Sequence, residues 1–239
     1  MENNSKFTVG EIVTKNFSTA SVFSKYGIDF CCGGNKTLED ACKEQSVDIA
    51  ELQKELDEAA QNKGESIDFN SWSLKLLADY IEETYHTYIK EKTPVLLQLL
   101  KKIIAVHGER HPELLKINEL FSQSAMALSM HLQKEEQILF PLIRQISDAS
   151  KSGHPLEESH CGSVRNPIAV MMDEHDTEGE RFEAISKLSG KYQTPADGCN
   201  TFRATYEALE EFEQKLHEHI HLENNILFPK AIELEKSFC

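Results

Sequence analysis

One segment occurs twice, and it limits what this chain can be. His131-Leu132-Gln133-Lys134-Glu135-Glu136-Gln137-Ile138-Leu139-Phe140-Pro141 returns as His219-Ile220-His221-Leu222-Glu223-Asn224-Asn225-Ile226-Leu227-Phe228-Pro229. In each copy a His is followed by a Glu at the fourth position and then by Ile-Leu-Phe-Pro. Four α-helical residues turn through about 400°, so His and Glu stack one turn apart on one face. An imidazole and a carboxylate aimed at one point are two metal ligands from one helix. A single such pair is by itself an ordinary solvated helical pair. The register, however, extends further: His86 lies 45 residues before His131, and His175 lies 44 before His219. Each half therefore reads as a helical hairpin with one His on its first helix and a His-x3-Glu on its second. The pattern supplies His86, His131, Glu135, His175, His219 and Glu223 to a candidate dinuclear site. His217 and His221 crowd His219, and only the repeat selects His219. The other two are expected at the surface or behind the ligands.

The rest of the chain reads as all-α. Residues 1–62 suit a small helical domain, with short helices beginning at Val9, at Ser18, after the cap Thr37 and at Asp48. Residues 63–71 are polar and contain Gly64, so they read as a linker. Residues 72–239 carry a long helical pattern that predicts an up-down-up-down four-helix bundle. Its helices are expected from Trp72 towards His107 (kinked at Pro94), from His111-Pro112, from Asn166-Pro167 and from Thr194-Pro195. Leu74, Leu77, Ile81, Tyr85, Leu115, Leu120, Ala127 and Leu128 fall at core spacing, and Ile138-Leu139-Phe140 and Ile226-Leu227-Phe228 should be core as well. Pro141 and Pro229 are expected to bend or end their helices. Residues 148–165 read as an irregular loop, in which His154, His160 and Cys161 lack helical spacing. His107 and His111 read as capping or surface groups.

Net charge is −15, with no basic cluster, which argues against nucleic acid as a partner. The longest apolar run is far too short to span a membrane, and the N-terminal residues lack a signal peptide's pattern, so the chain reads as cytoplasmic. Imidazole and carboxylate suit first-row transition ions, and the lack of thiolates in the repeat argues against a purely structural zinc site. With both Glu bridging, each ion holds two His and one oxygen from each Glu. A coordination position then stays open for O2, NO or peroxide. In a reducing compartment the six cysteines are thiols. Adjacent Cys31 and Cys32 read as two free thiols, because a vicinal disulfide is strained. Asp29 is expected to raise a thiol pKa there, and the N–H groups of Gly33 and Gly34 to lower it. Cys42 reads as buried packing; Cys199 and Cys239 carry no signal.

Gly27-Ile28-Asp29-Phe30-Cys31-Cys32-Gly33-Gly34, followed by Thr37-Leu38-Glu39-Asp40-Ala41-Cys42, resembles the N-terminal domain of the iron–sulfur cluster repair di-iron proteins. The paired His-x3-Glu segments resemble the hemerythrin-like domain that comes after it in that family. The resemblance covers about residues 6–235. It implies a homodimeric cytoplasmic protein with two non-haem iron ions per chain, oxo- and carboxylate-bridged. It implies that His86, His131, Glu135, His175, His219 and Glu223 ligate iron, with Cys31 and Cys32 as a functional pair, a candidate thiol relay. The function implied is repair of clusters damaged by nitric oxide or oxidants, with damaged iron–sulfur proteins as partners and NO or O2 as small ligands. The alternatives are a hemerythrin-like O2 or NO carrier or sensor, and a di-iron oxidase or NO reductase. The thiol domain, which a carrier does not need, favours repair. Whether iron is donated or a gas is turned over stays open.

Overall fold

The computed structural model describes residues 7–61, 67–152 and 163–238. Apart from an isolated bridge between Thr8 and Thr37, the described elements are helical. In chain order they are α1 (Val9–Lys15), α2 (Ala20–Lys25), α3 (Leu38–Gln45), α4 (Ile49–Gln61), α5 (Leu74–Ile81), α6 (Thr87–His107), α7 (Glu113–Lys134), α8 (Phe140–Ser152), α9 (Arg165–Leu188), α10 (Asn200–Leu222) and α11 (Phe228–Lys236). No described helix is long and apolar enough to cross a membrane. Two compact units divide the chain: one draws on residues within 1–78, 143–165 and 217–239, the other on 79–142 and 166–216.

In the first unit the short helices start where side chains can take up free N–H groups. Thr8 and Glu11 form a reciprocal capping box on α1. Thr37 accepts from the N–H of Asp40 on α3, while Asp40 turns its carboxylate to the Thr37 hydroxyl rather than back to the cap N–H. Asp48 accepts from Ala50 and Glu51. The apolar faces bury Val9, Val13, Phe23, Phe30, Leu38, Leu52 and Leu56 together. Area burial of a large apolar side chain is worth about 1.5–3 kcal/mol, so this set outweighs any single cap. Lys230 of α11 donates to the carbonyls of Asn70 (2.9 Å) and Trp72 (2.6 Å).

The second unit packs helical segments around Phe121, Phe182 and Phe212. Phe182 and Phe212 stack at 5.7 Å, and Phe121 meets Phe212 edge-on at 5.4 Å. Tyr88 of α6 closes on Phe212 at 6.1 Å. Several sequence expectations need correction. Leu115 is 58% exposed, because the buried face of α7 runs through Leu114, Ile117, Phe121 and Leu128. Thr194-Pro195 does not open a helix: the Gly198 N–H donates to the Pro195 carbonyl at 2.8 Å, a turn, and α10 begins at Asn200. His107 is buried rather than a surface group. His154, His160, Cys161 and Cys239 lie outside the described residues.

Candidate metal centre

Three of the candidate ligands, His86, Glu135 and Glu223, sit in widened helical turns. Glu82–His86, Glu135–Leu139 and Glu223–Leu227 are each one turn of π-helix. The N–H groups of Thr87, Phe140 and Phe228 reach back five residues, to the carbonyls of Glu82, Glu135 and Glu223. Such turns are rare and concentrate at functional sites. They also correct the expectation for the prolines. Pro141 and Pro229 do not end their helices, which continue as α8 and α11. A wide turn leaves one carbonyl without its usual donor, and a proline just beyond has no N–H to lose. The extra residue shifts the helical register, so Ile138 is 47% exposed and not core. Ile226, at the matching position, is buried because α1 covers its turn.

Within the second unit, four candidates converge. His86 Nε2 and His131 Nε2 each lie 3.4 Å from Glu135 Oε2, and His131 Nε2 lies 3.1 Å from His175 Nε2. All four residues are buried. The His86 ring stacks on Phe140 at 5.4 Å, which fixes its plane. The outer ring nitrogens are held by carboxylates: His86 Nδ1 to Glu136 at 2.8 Å and His131 Nδ1 to Glu174 at 2.9 Å. Lys90 bonds Glu136 at 2.6 Å, and Lys134 bonds Glu174. Burial opposes ionisation of both carboxyls, but Lys90 with His86, and Lys134 with His131, hold them below the usual carboxylate range. A carboxylate facing Nδ1 favours the tautomer with N–H there and turns the lone pair of Nε2 inward. That lone pair then faces a Glu135 oxygen, acceptor against acceptor, in a dry interior. A cation between them relieves the conflict. The donor set, nitrogen and oxygen without sulfur, fits iron, manganese or zinc.

Within the first unit, His219 Nε2 lies 3.0 Å from Glu223 Oε1, both side chains being fully buried. α10 contributes its residues up to Leu216 to the second unit and those from His217 to the first.

The same stretch holds the cysteine turn. Asn225 Nδ2 donates to the carbonyls of Phe30 (3.4 Å) and Cys31 (3.2 Å), and Asn224 Nδ2 reaches the Cys31 carbonyl at 3.5 Å. His221 is fully buried, not a surface residue, with Nδ1 3.3 Å from the Phe30 carbonyl. Burial pushes its pKa down to about 4, so the ring is neutral. His217 meets the Phe30 ring at 6.2 Å. Inside the turn, Asp29 accepts from the N–H groups of Cys31 (2.8 Å), Cys32 (3.0 Å) and Gly33 (2.8 Å). The Gly33 donor expected to favour a thiolate is therefore spent on Asp29. The sulfurs lie 3.7 Å apart, and the Cys31 thiol donates to Asp29 at 3.1 Å. The Cys32 sulfur, burial and Asp29 together push the Cys31 thiol well above its ordinary pKa. Cys42 is buried, as the spacing suggested.

Sequence reasoning missed Glu136, Glu174, Asn224 and Asn225. It also missed Glu178, which is buried, accepts from Ser124 at 2.6 Å and is paired with Arg181. Glu136 and Glu174 are sequence neighbours of Glu135 and His175, a position about 100° round the helix that periodicity assigns to another face.

Residues 77–231 match the family model of the hemerythrin HHE cation binding domain, and residues 5–60 match that of an N-terminal domain of unknown function, ScdA_N. The chain is 33% identical to the iron–sulfur cluster repair protein ScdA of Staphylococcus haemolyticus, over 93% of this chain and 96% of that protein. It is 35% identical to a probable iron–sulfur cluster repair protein of Haemophilus influenzae, over 94% and 96% respectively. It is 36% identical to the iron–sulfur cluster repair protein YtfE of Yersinia pseudotuberculosis, over 88% and 90%.

Proposed function

We propose, from the premise that this chain belongs to the family of iron–sulfur cluster repair proteins with a hemerythrin domain, that it repairs iron–sulfur clusters damaged by oxidative or nitrosative stress. Its centre in this reading is a pair of non-haem iron ions held by His86, His131, Glu135, His175, His219 and Glu223. The observation that carries the reading is the buried convergence of His86, His131 and His175 about Glu135, with the outer nitrogen of His131 held by Glu174.

The residues divide the work. Glu135 and Glu223 would hold iron through carboxylate oxygens, and His86, His131, His175 and His219 through ring nitrogens. Glu136 and Glu174 hold His86 and His131 in orientation and carry charge that Lys90 and Lys134 balance. Bound iron would supply a redox-active Lewis acid with an open position for O2 or NO. Phe140 stacks on His86 and holds its ring plane.

The domains are residues 1–62, a linker at 63–71, and a bundle over 72–239. Cys31 and Cys32 act as a thiol relay between the centre and a client. The partners are damaged iron–sulfur proteins, with a second copy of the chain in a homodimer, and the place of action is the cytoplasm. The other reading, a hemerythrin-like carrier or sensor of O2 or NO, uses the same ligands but gives the cysteine turn no task.

The test is anaerobic incubation of the iron-loaded protein with an NO-damaged iron–sulfur enzyme. Repair by donation predicts regained enzyme activity together with iron lost from this protein. Regained activity without iron loss means turnover of NO, and no regained activity removes the repair reading. Metal analysis should give close to two irons per chain; one iron, or zinc alone, would sink the dinuclear centre.

A further inference from the structure

A cysteine and a histidine that the metal centre does not use meet in the second unit. Cys199 immediately precedes α10, and its carbonyl accepts from the Arg203 N–H at 3.0 Å, which makes it the N-cap. A cap is usually Ser, Thr, Asp or Asn, whose side-chain oxygen accepts from the first free N–H groups. Here a sulfur takes that place. The N–H groups of Phe202 and Thr201 lower the thiol pKa, against a smaller opposing effect of desolvation. Cys199 is nonetheless exposed.

His107, the last residue of α6, supplies the second observation. It is buried to 3% exposure, and its Nε2 lies 3.3 Å from Cys199 Sγ. Its Nδ1 has no hydrogen-bond partner among the described residues. Phe202 fixes the ring edge-on at 5.3 Å. The other charged and titratable groups around the pair hold one another. His111 bonds Glu113 and Asp197, each at 3.0 Å, and Arg110 pairs with Asp197 at 2.9 Å. An exposed thiol at a helix start, with a buried imidazole nitrogen beside it, is the arrangement that makes a cysteine nucleophilic.

We propose that Cys199 is a site of reversible mixed-disulfide formation, with a low-molecular-weight disulfide as the reacting partner and His107 as the group that takes the thiol proton. His107 Nε2 accepts the proton, and the thiolate attacks one sulfur of the small disulfide. The old S–S bond breaks as the new one forms. The departing thiolate collects the proton, so Cys199 is oxidised and one sulfur of the small disulfide is reduced and leaves as a thiol. The site is independent of the metal centre. Its modification replaces a helix cap by a bulky group and breaks the contact with His107.

The test uses the full-length reduced protein and oxidised glutathione over a pH series, quenched by acid and read peptide by peptide in a mass spectrometer. At pH 7 Cys199 should react at least about ten times faster than buried Cys42, whose thiol pKa is raised by burial. The midpoint of its rate profile should fall below the free-cysteine value of about 8.5. Reaction no faster than Cys42, or a midpoint at or above that value, overturns the proposal. His107→Gln should slow Cys199 at pH 7 and leave Cys42 unchanged; an unchanged Cys199 rate removes His107 from the mechanism. The wild-type profile needs no variant, so a His107→Gln protein that fails to fold does not leave the question open.

Discussion

Gly34→Ala should damage the cysteine turn far more than Gly33→Ala, although the two glycines are neighbours. Neither has a positive φ among the described residues, so alanine meets no backbone penalty at either position. What differs is what the new Cβ would touch. At Gly34 it would lie 2.7 Å from the Phe30 carbonyl oxygen, 3.2 Å from Asn225 Oδ1 and 3.2 Å from the Gly10 Cα. Two of those are backbone atoms, held by the 2.8 Å bond from the Gly10 N–H to the Gly34 carbonyl and by the Asn225 amide on the Phe30 and Cys31 carbonyls. At Gly33 the nearest atom is an Asp29 carboxylate oxygen at 3.1 Å, at the end of a side chain that can give a few tenths of an ångström. Overpacking alone costs about 1–3 kcal/mol. Straining or losing one or two of the amide bonds adds roughly 0.5–1.5 kcal/mol each. Gly34→Ala should therefore cost about 2–4 kcal/mol, and Gly33→Ala roughly 1 or less. In a chain of this length that is a loss of about 4–15 °C in Tm against a few degrees. Urea titration followed by circular dichroism reads the difference. Equal costs, or a larger one at Gly33, would show that the turn is not clamped where these contacts put it.

Three further outcomes rest on the same geometry. Burial raises the Glu213 carboxyl from 4.5 to about 7, so the folded chain holds a proton that the unfolded chain releases. Its contribution is present in full below pH 4.5 and lost as pH rises through 7, by up to about 3 kcal/mol; Glu213→Gln should flatten that slope, and an unchanged slope in urea midpoints from pH 5 to 8 would refute it. Glu174→Gln keeps an acceptor near His131 but loses the charge paired with Lys134, so iron affinity measured by chelator competition should fall about 10–100-fold; unchanged affinity would mean Glu174 does not support the ligand. Replacing Cys31 and Cys32 together by Ser should leave iron content intact and impair repair of a damaged client; unchanged repair would make the pair structural.

The convergence of His86, His131, Glu135 and His175 was legible because two signals agreed: a helical spacing of four residues, and the repetition of that spacing with a matched upstream histidine. Neither signal depends on tertiary contacts. The errors lie where tertiary contacts decide. Ile138 and Ile226 have the same sequence context, yet only Ile226 has α1 over it. The π-turns themselves have no signature in single-residue propensities, though Pro141 and Pro229 were traces of two of the three. Thr194-Pro195 looked like a helix start because Pro is favoured both at N1 and in a turn, and Gly198 settled it as a turn. Cys199 went unnoticed because sulfur is not counted among the caps, so the start at Asn200 had no recognised residue before it. His221 looked superfluous beside His219, since no local pattern says that Phe30, far back in the chain, will lie against it.

The first unit also shows why the double-serine experiment separates chemistry from structure. His219 and Glu223 differ by two residues from His221 and Asn225, about 200° round a helix, so the two pairs look out on opposite sides. One side carries the candidate ligands; the other receives the cysteine turn through backbone carbonyls, those of Phe30 and Cys31. The turn thus braces the helix that carries the candidate ligands without using a sulfur atom. Asp29 organises it through N–H groups, which serine also possesses. Replacing both thiols by hydroxyls leaves that brace in place, whereas Asn225→Ala removes the amide that grips it and leaves both thiols. If the turn matters only as a brace, Asn225→Ala should lower iron content and the double serine change should do nothing. If the thiols carry iron or NO, the double serine change should abolish repair with the iron retained. Each variant alters what the other preserves, so the pair distinguishes a support from a relay.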